Sequence, residues 1–489
     1  MTTIMNLSNR HSLIVLTFLS LVLGSFVSPL LAAPADAKPP NVLFIAIDDL
    51  RPELGCYGST EVKSPNIDKV AAEGLLFQRA YCQVPVCGAS RACLMTGILP
   101  TPNRFVVAKT TVDEDAPGAI TMPQVFRNAG YTTLSNGKIF HFGNDTSDRS
   151  WSEPAWHSGM SHATNRDPEA KNDKSDAGRS RIYESPDVPD DAYGDGKTAE
   201  KTIADLRRLK VLGKPFFLAC GFIRPHMPFY APKKYWDMYD RDSITLADNR
   251  YRPKNAPKGL KGSSEYSSYG FGKFENGTDD FHRMMRHGYF ASTSYADKLV
   301  GDVLGELDNL SLADNTIIVI WGDHGWNLGE HEFWGKHNTL NTSTRVPLII
   351  KVPTKAAGKK TASLVGVYDI FPTLCTLAKL SIPESVQGRS FANLFDDPKA
   401  TFREYVYTRY VKGDAVVSDN LIYTNYGGDG EMLYDLAVDP RENLNVATDP
   451  NYRSELALMK GFLATSEKTA AEAKVNPSLK RSSTDEKLE

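Results

Sequence analysis

The sequence predicts an α/β protein in which helices sandwich a large, mixed and mostly parallel sheet, followed by a smaller C-terminal subdomain with a short antiparallel sheet. Residues 41–47 are apolar except for Asn41 at the start, a pattern typical of a strand buried on both faces. Similar runs alternate with segments of helical periodicity through most of the chain. Beyond residue 387, short strands separated by turns replace this alternation.

The amino terminus has the plan of a secretory signal peptide. Arg10 and His11 precede an apolar run at residues 13–23, and small residues follow as far as Ala35. The run is short for a bilayer span, although an uncleaved anchor is the alternative. We therefore expect an exported protein, in a periplasmic, extracellular or lysosome-like compartment, with no stable membrane insertion.

Composition excludes two classes of protein. The 489 residues are 41% hydrophobic and 24% charged, as in ordinary globular proteins, and the formal net charge is -3. That charge argues against nucleic-acid binding, which needs a basic surface. Six cysteines are too few for a disulfide scaffold. Cys220 lies within an apolar strand-like run, so we expect it to be a free buried thiol.

Along the chain, helices and strands follow one another in a regular order. Predicted helices cover residues 64–74, 121–130, 199–212 and 284–307, and a further helix opens at residue 368. Predicted strands cover residues 41–47, 75–77, 131–134, 215–222, 315–321 and 347–350, with the C-terminal strands at 405–408, 415–417, 421–423 and 432–436. Two polar insertions interrupt the order at residues 142–198 and 240–280. The first contains Trp151 and Trp156, which we expect to line a cleft.

These elements predict four parts of the chain. The parts are a signal peptide and linker at 1–37, a catalytic domain at 38–386, a C-terminal subdomain at 387–466 and a frayed tail at 467–489.

Acidic residues close two of the predicted buried strands. Asp48 and Asp49 follow the strand at 41–47, and Asp323 and His324 follow the strand at 315–321. Paired carboxylates at a buried strand end repel each other unless a cation neutralises them, although a solvated strand end would also tolerate them. Because α/β folds place ligands at the carboxyl edge of the sheet, the pattern predicts a divalent-cation site there.

Basic residues stand close to other predicted strand ends. Lys138 and His141 follow the strand at 131–134 and can aim two donors at one anion, although a surface turn has the same spacing. His226 lies between two prolines, which hold it on a rigid segment, but a lone histidine is more often structural. Lys336 lies in a loop rich in glycine and histidine.

The stretch from Cys87 to Gly97 resembles the sulfatase signature, Cys/Ser-x-Pro-Ser-Arg followed by Leu/Thr-Gly, except that Ala89 stands in place of Pro. Further matches occur at residues 41–51, 137–141, 224–229, 321–325, 335–337 and 433–443. The chain thus resembles type I, formylglycine-dependent sulfatases of the alkaline-phosphatase superfamily, and most of all the iduronate-2-sulfatase group.

The resemblance implies a metal centre and an unusual nucleophile. It implies that Asp48, Asp49, Asp323, His324 and the modified Cys87 hold one divalent cation, usually calcium in this family. It also implies that a formylglycine-generating enzyme oxidises Cys87 to an aldehyde whose hydrate has two hydroxyls. One hydroxyl attacks sulfur, and the second re-forms the aldehyde and expels sulfate.

The remaining family roles fall on basic residues. The resemblance implies that Arg91 steadies the formylglycine, that Lys138 and Lys336 hold the sulfate oxygens, that His141 contacts the formylglycine hydroxyl, and that His226 protonates the leaving oxygen.

The resemblance implies that the substrate is a sulfate ester. The iduronate-2-sulfatase group favours the 2-O-sulfate of uronic acid residues in a glycosaminoglycan or other sulfated polysaccharide. Two alternatives stay open. One is a phosphatase or phosphonate hydrolase of the same superfamily. The other is an inactive protein that binds sulfated glycans through an unmodified Cys87.

Overall fold

A computed structural model describes residues 38–167, 176, 178–355 and 357–475. The predicted signal segment at 1–37 lies outside the described residues. The described chain from Pro39 onward belongs to one compact unit, and the division at residue 387 stays a prediction.

The described residues contain a large sheet of eight strands. The strands are β1 (Asn41–Ile47), β2 (Leu75–Tyr81), β3 (Thr132–Gly137), β5 (Phe216–Phe222), β7 (Thr316–Gly322), β10 (Arg345–Lys351), β11 (Lys359–Thr361) and β12 (Val365–Gly366). Their order is β11-β2-β10-β7-β1-β5-β3, with β12 also paired to β2. Only β10 runs antiparallel to its neighbours in this sheet, so the mixed, mostly parallel sheet is confirmed.

Short strands and helices complete the elements. The two-residue strands are β4 (Tyr183–Glu184), β6 (Phe229–Tyr230), β8 (Asn327–Leu328) and β9 (Trp334–Gly335). The helices are α1 (Pro65–Glu73), α2 (Cys87–Thr96), α3 (Val112–Asp115), α4 (Met122–Asn128), α5 (Ser147–Ser150), α6 (Gly194–Leu212), α7 (Lys233–Trp236), α8 (Asp279–Asn309), α9 (Asn341–Thr344), α10 (Ile370–Leu377) and α11 (Arg453–Ala471).

β1 lies in the middle of the sheet and is buried along its whole length. Alternate residues point to opposite faces, so each face has its own core. Leu43 and Ile45 pack into the core that contains apolar residues of α1, α6 and α8. Val42 and Phe44 pack into the core that contains residues of α2, α4 and α10. Helices therefore cover both faces, which is why β1 is a continuous apolar run.

The helices predicted at 64–74 and 121–130 begin with different capping interactions. Thr121 caps α4 through a capping box with Gln124, as its position predicts. Ser64 precedes α1 but makes no capping bond, because its Oγ accepts from the Gly55 N–H and bonds to Asp68. Pro65 occupies the first turn of α1, and Asp297 of α8 accepts from the backbone N–H groups of Asn66 and Ile67 in place of a local cap.

The polar insertions contain little regular structure among their described residues, but they are anchored by buried aromatic side chains. Trp151 is 2% exposed and packs against Phe140 and Phe217. The expectation that Trp151 lines a cleft is therefore wrong, since its indole belongs to the core.

The C-terminal part is a four-stranded antiparallel sheet with a helix against it. Its strands are β13 (Val406–Tyr410), β14 (Gly413–Val417), β15 (Leu421–Asn425) and β16 (Glu431–Asp435). The expected frayed tail from Glu467 is wrong at its start, because α11 continues to Ala471. Met459, Leu463 and Ala470 bury one face of α11 against the sheet, which stabilises the last turns. Within the described chain, every helix is too short or too polar to cross a membrane.

Glu442, in the loop after β16, gives the fold a testable pH dependence. Burial raises the pKa of its carboxyl to about 8, and its Oε1 has no hydrogen-bond partner. In the unfolded chain the pKa is about 4.3. The folded protein therefore holds an extra proton between these values, and the free energy of unfolding falls by up to about 1.4 kcal/mol per pH unit as pH rises.

We expect Glu442→Gln, a neutral isostere, to flatten this dependence and to be more stable than the wild type at pH 8. Denaturant unfolding between pH 5 and 8 measures it. Exposed Glu472→Gln is the matched control, and equal slopes for the wild type and Glu442→Gln would contradict the prediction.

Candidate active site

The site lies at the carboxyl edge of the sheet, where β1 and β7 end side by side. Ile47 of β1 is paired with Gly322 of β7, so Asp48 and Asp323 emerge next to each other. The backbone N–H of Asp49 donates to Asp323 Oδ1 at 3.0 Å. Asp49 has a φ of 58°, a left-handed conformation that Asp tolerates better than most residues. All three carboxylates are fully buried.

Cys87 is the first residue of α2, and its side chain is 3% exposed. Its Sγ lies 3.3 Å from His324 Nε2, which brings the signature segment against the strand ends. Gly88 permits this packing, because a Cβ there would lie 2.0 Å from the Ala108 carbonyl oxygen. Burial raises the pKa of the Cys87 thiol, so the unmodified side chain is a neutral thiol and a poor nucleophile.

Ala89, the departure from the family signature, occupies the third position of α2 and is fully buried. The first-turn N–H groups of a helix have no partner within the helix, so Pro and Ala both fit such a position. The substitution is therefore compatible with the local fold.

Arg91, one helical turn after Cys87, joins the two strand ends. Its guanidinium donates to Asp323 Oδ2 through Nε at 3.1 Å and to Asp48 Oδ1 at 3.2 Å. It also donates to the main-chain carbonyls of Lys138 and Ile139. Because Arg91 is completely buried, it fixes the relative positions of α2, β1, β7 and the segment after β3.

Two lysines pair with different carboxylates of the cluster. Lys138, directly after β3, pairs with Asp48 Oδ2, and Lys336 Nζ lies 2.9 Å from Asp49 Oδ1. Burial disfavours the charged form of both amines, but Asp48 raises the pKa of Lys138 and Asp49 raises that of Lys336. Both lysines are therefore cations held inside the protein, as required of groups that bind an anion.

His226 and Glu265 complete the cluster. His226 follows β5, and its Nε2 lies 3.2 Å from Glu265 Oε1 and 3.9 Å from Asp49 Oδ2. Burial opposes a charge on His226, but Asp49 and Glu265 raise its pKa to about 10. Glu265 lies in the second polar insertion, where the sequence offers no candidate. No periodicity or motif marks it, so only the folded chain reveals it.

His141 lies beside the cluster but is not joined to Cys87 by any contact that the described residues show. Its ring packs against Phe142, and its Nδ1 is buried without a hydrogen-bond partner. Burial, reinforced by the charge of Lys138, lowers the pKa of His141 to about 3. His141 is therefore a neutral ring with a free polar atom, and its predicted contact with the formylglycine stays a prediction.

The donors suit a hard divalent cation. Donor atoms of Asp48, Cys87, Asp323 and His324 lie within 4.8 Å of one another, as do those of Asp48, Asp49, Cys87 and His226. Asp49 Oδ2 is buried and has no hydrogen-bond partner, so it offers a free ligand atom. Half of the donors in each group are carboxylate oxygens, which hard cations such as Ca²⁺ and Mg²⁺ prefer, and the other half are an imidazole nitrogen and the Cys87 sulfur.

The fold and this site define a class of protein, a hydrolase of anionic esters whose site lies at the carboxyl edge of an α/β sheet. A family model described as Sulfatase matches residues 40–380, and one described as N-sulphoglucosamine sulphohydrolase, C-terminal, matches residues 329–469. The chain therefore belongs to the sulfatase family. It is a sulfuric ester hydrolase.

Curated relatives and solved structures agree with this assignment. Iduronate 2-sulfatase of Mus musculus is 36% identical over an alignment 424 residues long, which covers 76% of this chain and 75% of the relative. A solved 2-O glycosaminoglycan sulfatase has a TM-score of 0.68 at 25% identity, covering 90% of this chain and 95% of that one. A phosphonate monoester hydrolase of Agrobacterium radiobacter has a TM-score of 0.71 at 23% identity, covering 88% and 96%. The last likeness shows the shared fold alone.

Proposed function

We propose that this enzyme hydrolyses the 2-O-sulfate of uronic acid residues in a glycosaminoglycan or similar sulfated polysaccharide. The observation that carries the chemistry is the position of Cys87, at the start of α2 and 3.3 Å from His324 in the carboxylate cluster. The iduronate 2-sulfatase and 2-O glycosaminoglycan sulfatase relatives support the substrate class.

Asp48, Asp49, Asp323 and His324 would hold one divalent cation beside residue 87, and calcium fits the oxygen-rich donors. When bound, the cation would increase the acidity of the nucleophile and neutralise charge on the sulfate. The free Oδ2 of Asp49 supports this assignment, since an unpaired carboxylate oxygen in a buried site is costly.

Residue 87 would act as formylglycine, made from Cys87 by a formylglycine-generating enzyme. The aldehyde hydrate supplies one hydroxyl to attack sulfur and a second to release the product. The position of Cys87 supports this proposal, because its Sγ points at the cluster rather than into the apolar core. Arg91 joins α2 to both strand ends by hydrogen bonds, so the nucleophile is fixed relative to the cation ligands.

The basic residues would bind the sulfate and supply a proton to the leaving group. Lys138 and Lys336 pair with Asp48 and Asp49 in the cluster and would bind the sulfate oxygens as negative charge grows on them. His226 faces the same cluster, beside Asp49 and Glu265, so it would protonate the leaving sugar oxygen. An alkoxide leaves poorly without that proton.

The predicted signal peptide at 1–37 supports export of the enzyme to the compartment where sulfated polysaccharides are found, which we also propose.

Sulfate release from defined oligosaccharides tests the substrate. We expect kcat/KM on a 2-O-sulfated uronic acid disaccharide to exceed that on a 6-O-sulfated glucosamine disaccharide by about 10²-fold or more. A phosphate monoester of the same alcohol should be a much poorer substrate than the sulfate ester. Preference for the 6-O-sulfate would contradict the proposed substrate. Preference for the phosphate monoester would favour the phosphatase alternative.

A further inference from the structure

We propose that Glu265 is a positioning residue that orients His226 for proton donation to the leaving oxygen. This inference rests on the proposed role of His226 in sulfate ester hydrolysis. Glu265 comes from the second polar insertion, in a short 3-10 helix at Glu265–Ser268, and not from any of the strand ends that build the rest of the site.

The contacts of the His226 ring determine where its proton points. Nδ1 bonds to the carbonyl oxygen of Met227, which can only accept, so Nδ1 carries a hydrogen. Nε2 faces the cluster, and Glu265 Oε1 at 3.2 Å is its nearest ion-pair partner. Asp49 Oδ2, at 3.9 Å, is too far for a hydrogen bond. Glu265 is therefore the nearest carboxylate to the His226 ring, which also bonds to the Cys87 side chain.

The Glu265 carboxylate is itself held in place. Its second oxygen forms an ion pair with Lys336 Nζ at 3.3 Å but no hydrogen bond, and its backbone N–H donates to Ser263 Oγ at 3.2 Å. Ser263 Oγ in turn bonds to His337 Nδ1 at 2.8 Å. These contacts tie the insertion to the loop that carries Lys336. A carboxylate fixed in this way orients a neighbouring imidazole more strictly than a mobile surface carboxylate would.

Lys336 does not depend on Glu265 in the same way. Its Nζ has a closer partner in Asp49 Oδ1, at 2.9 Å, and also lies 5.1 Å from the Trp326 ring centre. Removing the charge of Glu265 leaves both of these contacts. The effect of a substitution at Glu265 should therefore fall mainly on His226, and so on the step that needs a proton.

The test compares two esters whose leaving groups differ in their need for a proton. A sugar 2-O-sulfate releases an alkoxide, whereas 4-nitrophenyl sulfate releases a stabilised phenolate. For Glu265→Gln we expect kcat on the sugar sulfate to fall about 10- to 100-fold with little change in KM. On 4-nitrophenyl sulfate we expect a fall of less than about 3-fold, because general-acid assistance is small there.

Two further variants separate positioning from folding. Glu275→Gln, an exposed residue of the same insertion, should match the wild type on both esters. In a His226→Ala background, Glu265→Gln should cause no further selective loss, since the two residues act as one unit. Thermal unfolding of each variant checks that the fold is retained.

The outcomes are distinct. Equal losses on both esters, or no loss on either, would overturn the positioning role while leaving the sulfatase assignment intact. A selective loss that persists in the His226→Ala background would also overturn it. A wild-type enzyme that releases no sulfate from either ester would overturn both the proposed function and this inference.

Discussion

Replacing Cys87 with Ala is expected to abolish sulfate release, with a fall in kcat of at least ~10⁴-fold, because the substitution removes the nucleophile while leaving the surrounding donors in place. The side chain is small and packs at the start of α2, so the variant should fold. Release of inorganic sulfate from a 2-O-sulfated disaccharide measures the effect. Cys87→Ser should be nearly as inactive, since a single hydroxyl cannot form the aldehyde hydrate.

Mass spectrometry of the peptide that contains Cys87 completes this test. Cleavage after Arg79 and Arg91 gives a peptide that also contains Cys82, so fragmentation must assign the change to one residue. We expect residue 87 to be lighter by the exchange of thiol for aldehyde, and Cys82 to be unchanged. Cys56→Ser, outside the site, is the activity control. An unmodified Cys87 in active enzyme would contradict the mechanism, and in inactive enzyme it would favour the glycan-binding alternative.

Replacing Asp323 with Asn is expected to remove the bound cation and to lower kcat by more than about 10²-fold. This loss exceeds the one expected when a residue that only hydrogen-bonds to a metal ligand is replaced. Asp323 contributes one of three buried carboxylates, and it accepts from the Asp49 N–H and from Arg91. Asn preserves its shape but not its charge. Elemental analysis of the purified protein, together with sulfate release, measures both effects.

Asp314 offers a matched control, because it lies just before β7 whereas Asp323 lies just after it. Asp314 lies at the opposite end of the strand from the cluster, so Asp314→Asn should retain one cation per chain and full activity. Treatment of the wild type with a chelator should reproduce the Asp323→Asn defect, and added Ca²⁺ should reverse it. Full cation content in Asp323→Asn would show that Asp323 is not a ligand.

The strand ends were predictable because their information is local. An apolar run of seven residues is typical of a strand buried on both faces, and a charged residue directly after it is expected at the edge of the sheet. The amino-acid pattern alone therefore places Asp48 and Asp323 at one edge. Their pairing follows from parallel neighbours that end in register.

Other parts of the site have no local signal. α2 begins at Cys87 with Val86 before it, and no side chain caps it, so nothing in the sequence marks a helix start. Glu265 reaches His226 only because an insertion without periodicity folds back over the sheet edge. No helix was predicted at α11, and its last turn fell within the expected frayed tail, because Ser466 and Ala470 on its buried face are too small to give a strong apolar pattern.

The positions of the sheet strands along the chain determine when the site can form during synthesis. β1 is synthesised first, but its two neighbours, β5 and β7, emerge only after residues 216 and 316. Until then His324 cannot cover Cys87, and the thiol that is 3% exposed in the folded enzyme stays open to other proteins. The modification that we propose must therefore be completed in the interval between translation of α2 and docking of β7. Conversion of Cys87 would then compete with folding, and conditions that speed translation would lower the active fraction without changing the amount of folded protein.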